Sequence, residues 1–279
     1  MKKLIFIVFM ISALITGSAF ADDIGTTVET GMKKFFEKNN LPLEVKIDVI
    51  QKLDEPKGFY FIRMTLKEDK SGRQQEQFAF TDGKYIVPDI LTVDSNTSMK
   101  DILSFNAAEK VDLDLSRLSL LSGKKNAKHV IVTVSDFQCP FCKKAHMLLN
   151  EEIKKRNLDV AVYLMHMPLS FHQKAKLYAT IYEAGKMMGK DFADELYATD
   201  KKVDDMKDED VVDMFAKKSG NPEKFKGLMK SPSIAGKIAD NMKYAESLGI
   251  TGTPQVYFDG KGVGGFKQSM FELGLDSLK

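Results

Sequence analysis

Cysteine is nearly absent from this chain: 279 residues carry two, Cys139 and Cys142, three positions apart. That scarcity excludes a disulfide-stapled framework, which needs several pairs, and a chain of this length can bury enough apolar surface without one. A single C-x-x-C is half of a zinc site. No second pair exists, and the four histidines, His129, His146, His166 and His172, lack the spacing of zinc ligands, so no metal is expected. Excess charge of one sign is also missing, with 41 Lys+Arg against 39 Asp+Glu. Nothing in that balance attracts nucleic acid or an anionic membrane. No apolar run reaches the roughly 20 residues needed to span a bilayer, the N-terminal one included.

The N-terminus itself has the order of a secretory leader: Lys2-Lys3, an apolar core from Leu4 to Ile15, and small residues ending Ala19-Phe20-Ala21. Cleavage after Ala21 is expected, giving an exported, soluble protein. Val28, Met32, Phe35 and Phe36 then fall on one face of a helix over 26–40. Alternating or branched runs at 45–50, 59–66, 77–80 and 84–87 follow, the last two flanking Thr81-Asp82-Gly83, a hairpin signal. Residues 22–106 thus read as a small α+β unit. Residues 107–128, polar with scattered leucines, read as a partly helical connector.

The pattern changes at His129. His129 to Val134 is a branched run of the kind buried on both faces, and it leads into Cys139-Pro140-Phe141-Cys142 and a helical stretch to Arg156. A second strand at 160–167, a helical region over about 172–248 broken at Gly189, Ser219-Gly220-Asn221-Pro222 and Ser231-Pro232, a hairpin at 255–264 and a closing helix complete an α/β domain over 129–279.

A C-x-x-C pair that opens a helix after a buried strand sets the first sulfur beside unpaired N-terminal amides and the second one turn further in. Cys139 is the expected nucleophile, an accessible thiolate, and Cys142 the resolving thiol. Pro140 suits the first helical turn. Phe141 adds apolar surface and no charge, which implies a moderately oxidising pair. His146, a turn beyond Cys142, reads as solvent-facing. Met165-His166-Met167 offers soft ligands for copper, although the methionines read better as core.

Val132-Thr133-Val134-Ser135-Asp136-Phe137-Gln138-Cys139-Pro140-Phe141-Cys142-Lys143-Lys144 resembles the active-site segment of the Dsb-type periplasmic thiol:disulfide interchange proteins, and Ile250-Thr251-Gly252-Thr253-Pro254 resembles their cis-proline loop. The resemblance implies a thioredoxin-like catalytic domain with a helical insertion, a cis Pro254, and a substrate-binding backbone contact at Thr253. The N-terminal unit and connector resemble the DsbC/DsbG layout, which implies a cystatin-like dimerisation domain and a homodimer. No cofactor is implied beyond a redox-active Cys139–Cys142 disulfide. The implied partners are unfolded or misoxidised exported proteins and a membrane redox partner. Thr133 departs from the pattern, standing where thioredoxin and DsbA carry a buried carboxylate; Asp136 nearby is acidic and reads equally as a loop carboxylate. Pro140-Phe141 and the insertion lean toward oxidases, whereas Thr253 and the N-terminal unit lean toward isomerases, so the direction of electron flow stays open. A holdase chaperone or copper-binding protein, with the cysteines secondary, is the non-enzymatic alternative.

Overall fold

A computed structural model describes residues 23–68, 72, 74–93 and 98–279. The leader expected at 1–21 lies outside the described residues. Two compact units divide the chain, the first ending at Ala107 and the second running from Ala108 to Lys279.

In the first unit, helix α1 occupies residues 23–38. Val28, Met32 and Phe36, four apart, give it one apolar stripe, which packs on Val45, Ile47, Ile62, Met64 and Ala79 of the sheet. Phe35, expected on that stripe, is exposed because it lies off the four-residue repeat. The helix stops at Asn40, whose φ of 53° is left-handed, with Leu41 N bonded to Phe36 O and Asn40 N to Glu37 O. Those two bonds are a Schellman closure. Strands β1 (Leu43–Lys52), β2 (Tyr60–Glu68), β3 (Gln74–Thr81) and β4 (Ile86–Val87) form an antiparallel sheet in chain order. Period-two alternation sends Ile62 and Met64 toward α1 and Phe61 to the opposite face, where Phe61, Phe80 and Leu53 pack with Met99 and Leu103 of α2 (Met99–Ala107). The expected hairpin turn is present: Asp82 Oδ1 accepts from the amides of Lys84 and Tyr85, and Gly83 takes φ of 89°.

The second unit carries a five-stranded sheet, β5 (Ser119–Ser122), β6 (His129–Ser135), β7 (Val160–His166), β8 (Gln255–Phe258) and β9 (Lys261–Gly264), in the order β5-β7-β6-β8-β9. Only β6 and β7 are parallel, joined through α3 (Pro140–Lys155); β5 and β8 run antiparallel to their neighbours. Part of the stretch read as a connector therefore belongs to this sheet. Its strand signal, Ser119-Leu120-Leu121-Ser122, is short and bulged, and tertiary contacts place it. Asn241 donates to the Arg117 carbonyl, and Arg117 pairs with Asp240 and lies 4.3 Å over the Tyr244 ring, which fixes the segment to the helix Pro232–Ser247.

Between β7 and β8 six helices form the insertion: α4 (Ala175–Met187), α5 (Ala193–Tyr197), α6 (Lys201–Asp204), α7 (Asp208–Ser219), α8 (Pro222–Met229) and α9 (Pro232–Ser247). Gly220, at φ of 84°, ends α7, and the Asn221 side chain caps α8 by accepting from Lys224 N, with Pro222 in the first turn. The last helix, α10 (Gln268–Asp276), packs Phe271 edge-on against Phe258 of β8. On β6, Val132 and Val134 pack in the cluster that holds Ala245 of α9, while Thr133 and Ser135 line a cavity shared with Cys142, Ala145 and Leu149 of α3. Strand alternation alone thus puts two hydroxyls beneath the C-x-x-C helix. Among the described residues no helix is long and apolar enough to cross a membrane.

Candidate active site

Cys139 occupies the N-cap of α3 in extended conformation, φ −73° and ψ 119°, and Pro140 begins the helix. Its side chain caps no amide by the usual oxygen route. Instead the Cys139 sulfur is held at about 5, far below the ordinary thiol range. The hydrogen bond from the Cys142 thiol is the main cause; the amides of Cys142 and Phe141 and the Thr253 side chain add to it, while burial opposes it. Cys142, one turn into the helix, shows the reverse. Burial, and then the adjacent Cys139 sulfur, push its thiol far above the ordinary range, with Ser135 and the Asp136 amide acting the other way. One sulfur is an anion at neutral pH and its neighbour a neutral donor.

The second half of the site arrives from the far side of the insertion. The Thr253–Pro254 peptide bond is cis, and the Cys139 sulfur lies 3.7 Å from the Thr253 carbonyl oxygen. Thr253 Oγ1 is buried and lies beside both sulfurs. Beyond the loop opens a cleft of about 440 Å³ lined by Ile250, Thr251, Thr253, Gln255, Tyr257 and Gly264.

Two expectations need correction. An openly accessible first sulfur was implied, yet Cys139 keeps only 4% of its surface and Cys142 1%. The cover on Cys139 is thin: its neighbours Pro140 and Phe141, and Thr251 and Gly252 beside Thr253, are all exposed. His146 is not solvent-facing but 8% exposed, with Nε2 2.7 Å from Asp194 Oδ1 and its ring stacked on Tyr197 at 4.4 Å. The insertion, folding back over α3, covers it.

Asp136 is wholly engaged as a loop carboxylate. Oδ1 accepts from Gln138 N; Oδ2 accepts from Leu169 N and lies 2.7 Å from His172 Nδ1. With Lys174 N donating to Gln138 Oε1, this ties the loop before α4 to the loop before Cys139 and presents Phe171 to solvent. Thr133 bonds to the Tyr163 carbonyl at 3.4 Å. His166 and Met165, considered as soft ligands, are committed elsewhere: Met165 is core and His166 Nε2 lies 2.7 Å from Glu183. Sequence reasoning missed Ser135 and Tyr197, whose hydroxyls meet 2.6 Å apart beneath Cys142. Strand alternation could have found the serine; nothing in the sequence pairs it with a tyrosine 62 positions away.

Residues 116–271 match the sequence profile of the thioredoxin family. The chain is 28% identical over 149 residues to a probable disulfide bond formation protein D of Bacillus cereus, covering 50% of this chain and 68% of the relative. The protein of that description from Bacillus anthracis is 27% identical, with the same coverage. A thioredoxin-like oxidoreductase from Silicibacter pomeroyi has a similar fold, with a TM-score of 0.50 at 22% identity, covering 58% of this chain and 91% of that one. The profile spans more than half of the sequence, including both the C-x-x-C helix and the cis-proline loop: the chain belongs to the thioredoxin family and is similar to its Dsb-type thiol:disulfide proteins.

Proposed function

We propose that the chain is a thiol-disulfide oxidoreductase acting on disulfides of exported proteins, with Cys139 as nucleophile, Cys142 as resolving thiol, and Thr253 and Pro254 as the substrate-binding loop. The observation that carries this reading is the split between the two sulfurs, one held at about 5 at a helix N-terminus beside Thr253, the other buried and neutral one turn away. The thiolate attacks a substrate sulfur and forms a mixed disulfide, and Cys142 then displaces the substrate; reversed, the same pair donates a disulfide. No cofactor beyond the two sulfurs is required.

Within that chemistry the leading reading is disulfide interchange, isomerisation or reduction, in an exported homodimer joined through the first unit, read as a cystatin-like dimerisation domain, with apolar surface that holds unfolded clients. Phe141 and Phe171, both exposed, supply such surface near the site. An oxidase reloaded by a membrane redox partner is the second reading, favoured by the lowered Cys139 value. Stabilising the thiolate stabilises the reduced pair and so strengthens its disulfide as an oxidant. Refolding of a scrambled substrate, run beside oxidation of a reduced one, separates the two. Activity in the first assay alone supports interchange, and in the second alone oxidation. Full activity of Cys139→Ala in both would remove the enzymatic reading and leave a holdase or copper-binding role.

A further inference from the structure

Before Cys142 can attack a mixed disulfide at Cys139, its buried thiol must give up a proton, and burial opposes that loss. Thr133 has no charge to offer and bonds to the Tyr163 carbonyl. One other polar side chain on the same face of β6 lines the cavity with Cys142. Ser135, 4% exposed, lines one cavity with Cys142 and lies 2.6 Å from the hydroxyl of Tyr197, and its side chain favours the anionic form of Cys142. Cys142, Ser135, Tyr197, His146 and Pro254 line one cavity of about 10 Å³, close to the smallest that holds a single water.

A serine hydroxyl has one hydrogen and two lone pairs. When the Tyr197 hydroxyl donates to Ser135 Oγ, the serine hydrogen is free to point at sulfur. Burial pushes the Tyr197 phenol well above its ordinary range, so it keeps its hydrogen and remains a donor. The other ionisable side chain lining the cavity is His146, engaged by Asp194 and stacked on Tyr197; Cys139, beside Cys142, and Asp136 also act on this pair through their charge.

We propose that Ser135 is a catalytic residue of the resolving step and Tyr197 its positioning residue: the Ser135 hydroxyl, oriented by Tyr197, hydrogen-bonds the Cys142 sulfur as negative charge develops there. This rests on the proposed roles of Cys139 and Cys142. In the step, the Cys142 S–H bond gives up its proton and a sulfur electron pair forms the Cys142–Cys139 bond. The bond between Cys139 and the substrate sulfur breaks, its electron pair leaves with the substrate, and that sulfur takes up the proton. No outside oxidant or reductant enters.

The reduced full-length chain mixed with 5,5′-dithiobis(2-nitrobenzoate) tests this, because the first thionitrobenzoate released reports attack by Cys139 and the second reports resolution by Cys142. Ser135→Ala and Tyr197→Phe are expected to leave the first release within about twofold of wild type. The second should slow about tenfold, its rate–pH profile moving about one unit to higher pH, as loss of a hydrogen bond to a charged group requires. Ser135→Thr, which keeps the hydroxyl, should restore it. Tyr197→Phe preserves the ring stack and decides the matter if Ser135→Ala does not fold. A second release at the wild-type rate, with an unmoved pH profile, in a folded variant overturns the proposal. A first release that persists in Cys139→Ala overturns the parent reading instead, and the two failures are distinct.

Discussion

The Cys139 sulfur lies 3.7 Å from the carbonyl oxygen of Thr253, a residue 114 positions further along the chain. A helix start and a cis-proline loop, remote in sequence, thus share one sulfur. The six-helix insertion between them sets no limit on that approach, because β6 and β8, the strands that carry the two elements, pair directly through Thr133↔Val256 and Val134↔Gln255.

The thiolate of Cys139 should titrate with a midpoint at about pH 5, followed by thiolate ultraviolet absorbance of the reduced protein. Cys142→Ala should raise that midpoint, since the Cys142 thiol is the largest stabilising influence on the anion. A midpoint in the ordinary thiol range for the wild type contradicts this geometry.

Stability follows from the same asymmetry. The folded Cys139 value lies below its ordinary 9.0, so its contribution is full above about pH 9, falls as pH drops toward 5 and is absent below. Denaturant melts of the reduced chain should therefore show wild type gaining on Cys139→Ala as pH rises from 5 to 9. A constant difference across that window shows that the anion is not stabilised by the fold.

Glu183 anchors a second buried cluster. Its carboxylate contacts His166, Ser119 and Lys237, the last at 3.0 Å; burial alone would raise it, yet His166, Lys237 and Ser119 together hold it at about 2. Glu183→Ala strands Lys237 and buried His166, and should cost about 3–5 kcal/mol at neutral pH. The deficit should shrink as pH falls from 4.5 toward 2, where the wild-type carboxylate is itself protonated. Thermal melts of both proteins across that range check the prediction.

Gly274 lets α10 sit against β8. A Cβ there would lie 2.4 Å from Phe258, a fully buried ring. Gly274→Ala must push the helix away or turn that ring out of place, with an expected cost of about 1–3 kcal/mol by overpacking. A melting temperature equal to or above wild type would show that the interface has slack.

The sequence made the strands of the second unit legible because they are short branched or apolar runs bounded by turn residues: His129 to Val134, Gln255 to Phe258 and Lys261 to Gly264 fall where those runs place them. Helix α2 escaped notice, as did β5, since each is short and takes its order from neighbours. Phe35 was assigned to the buried stripe of α1 from spacing that leaves it at the stripe's edge. His146 was misplaced for a related reason. Nothing local foretells that α5 will lay Tyr197 across its ring.

Two cysteines at the opening of one helix, a threonine–proline step far downstream and a branched strand between polar flanks were fixed by the chain itself, since spacing and residue chemistry suffice to place sulfurs at a helix terminus. Tertiary structure alone decided how deeply those sulfurs lie, that Thr253 reaches Cys139, and that Ser135 meets Tyr197. Burial and contact between distant segments arise from packing the whole unit; burial raises the Cys142 thiol, and the hydrogen bond that thiol gives lowers Cys139.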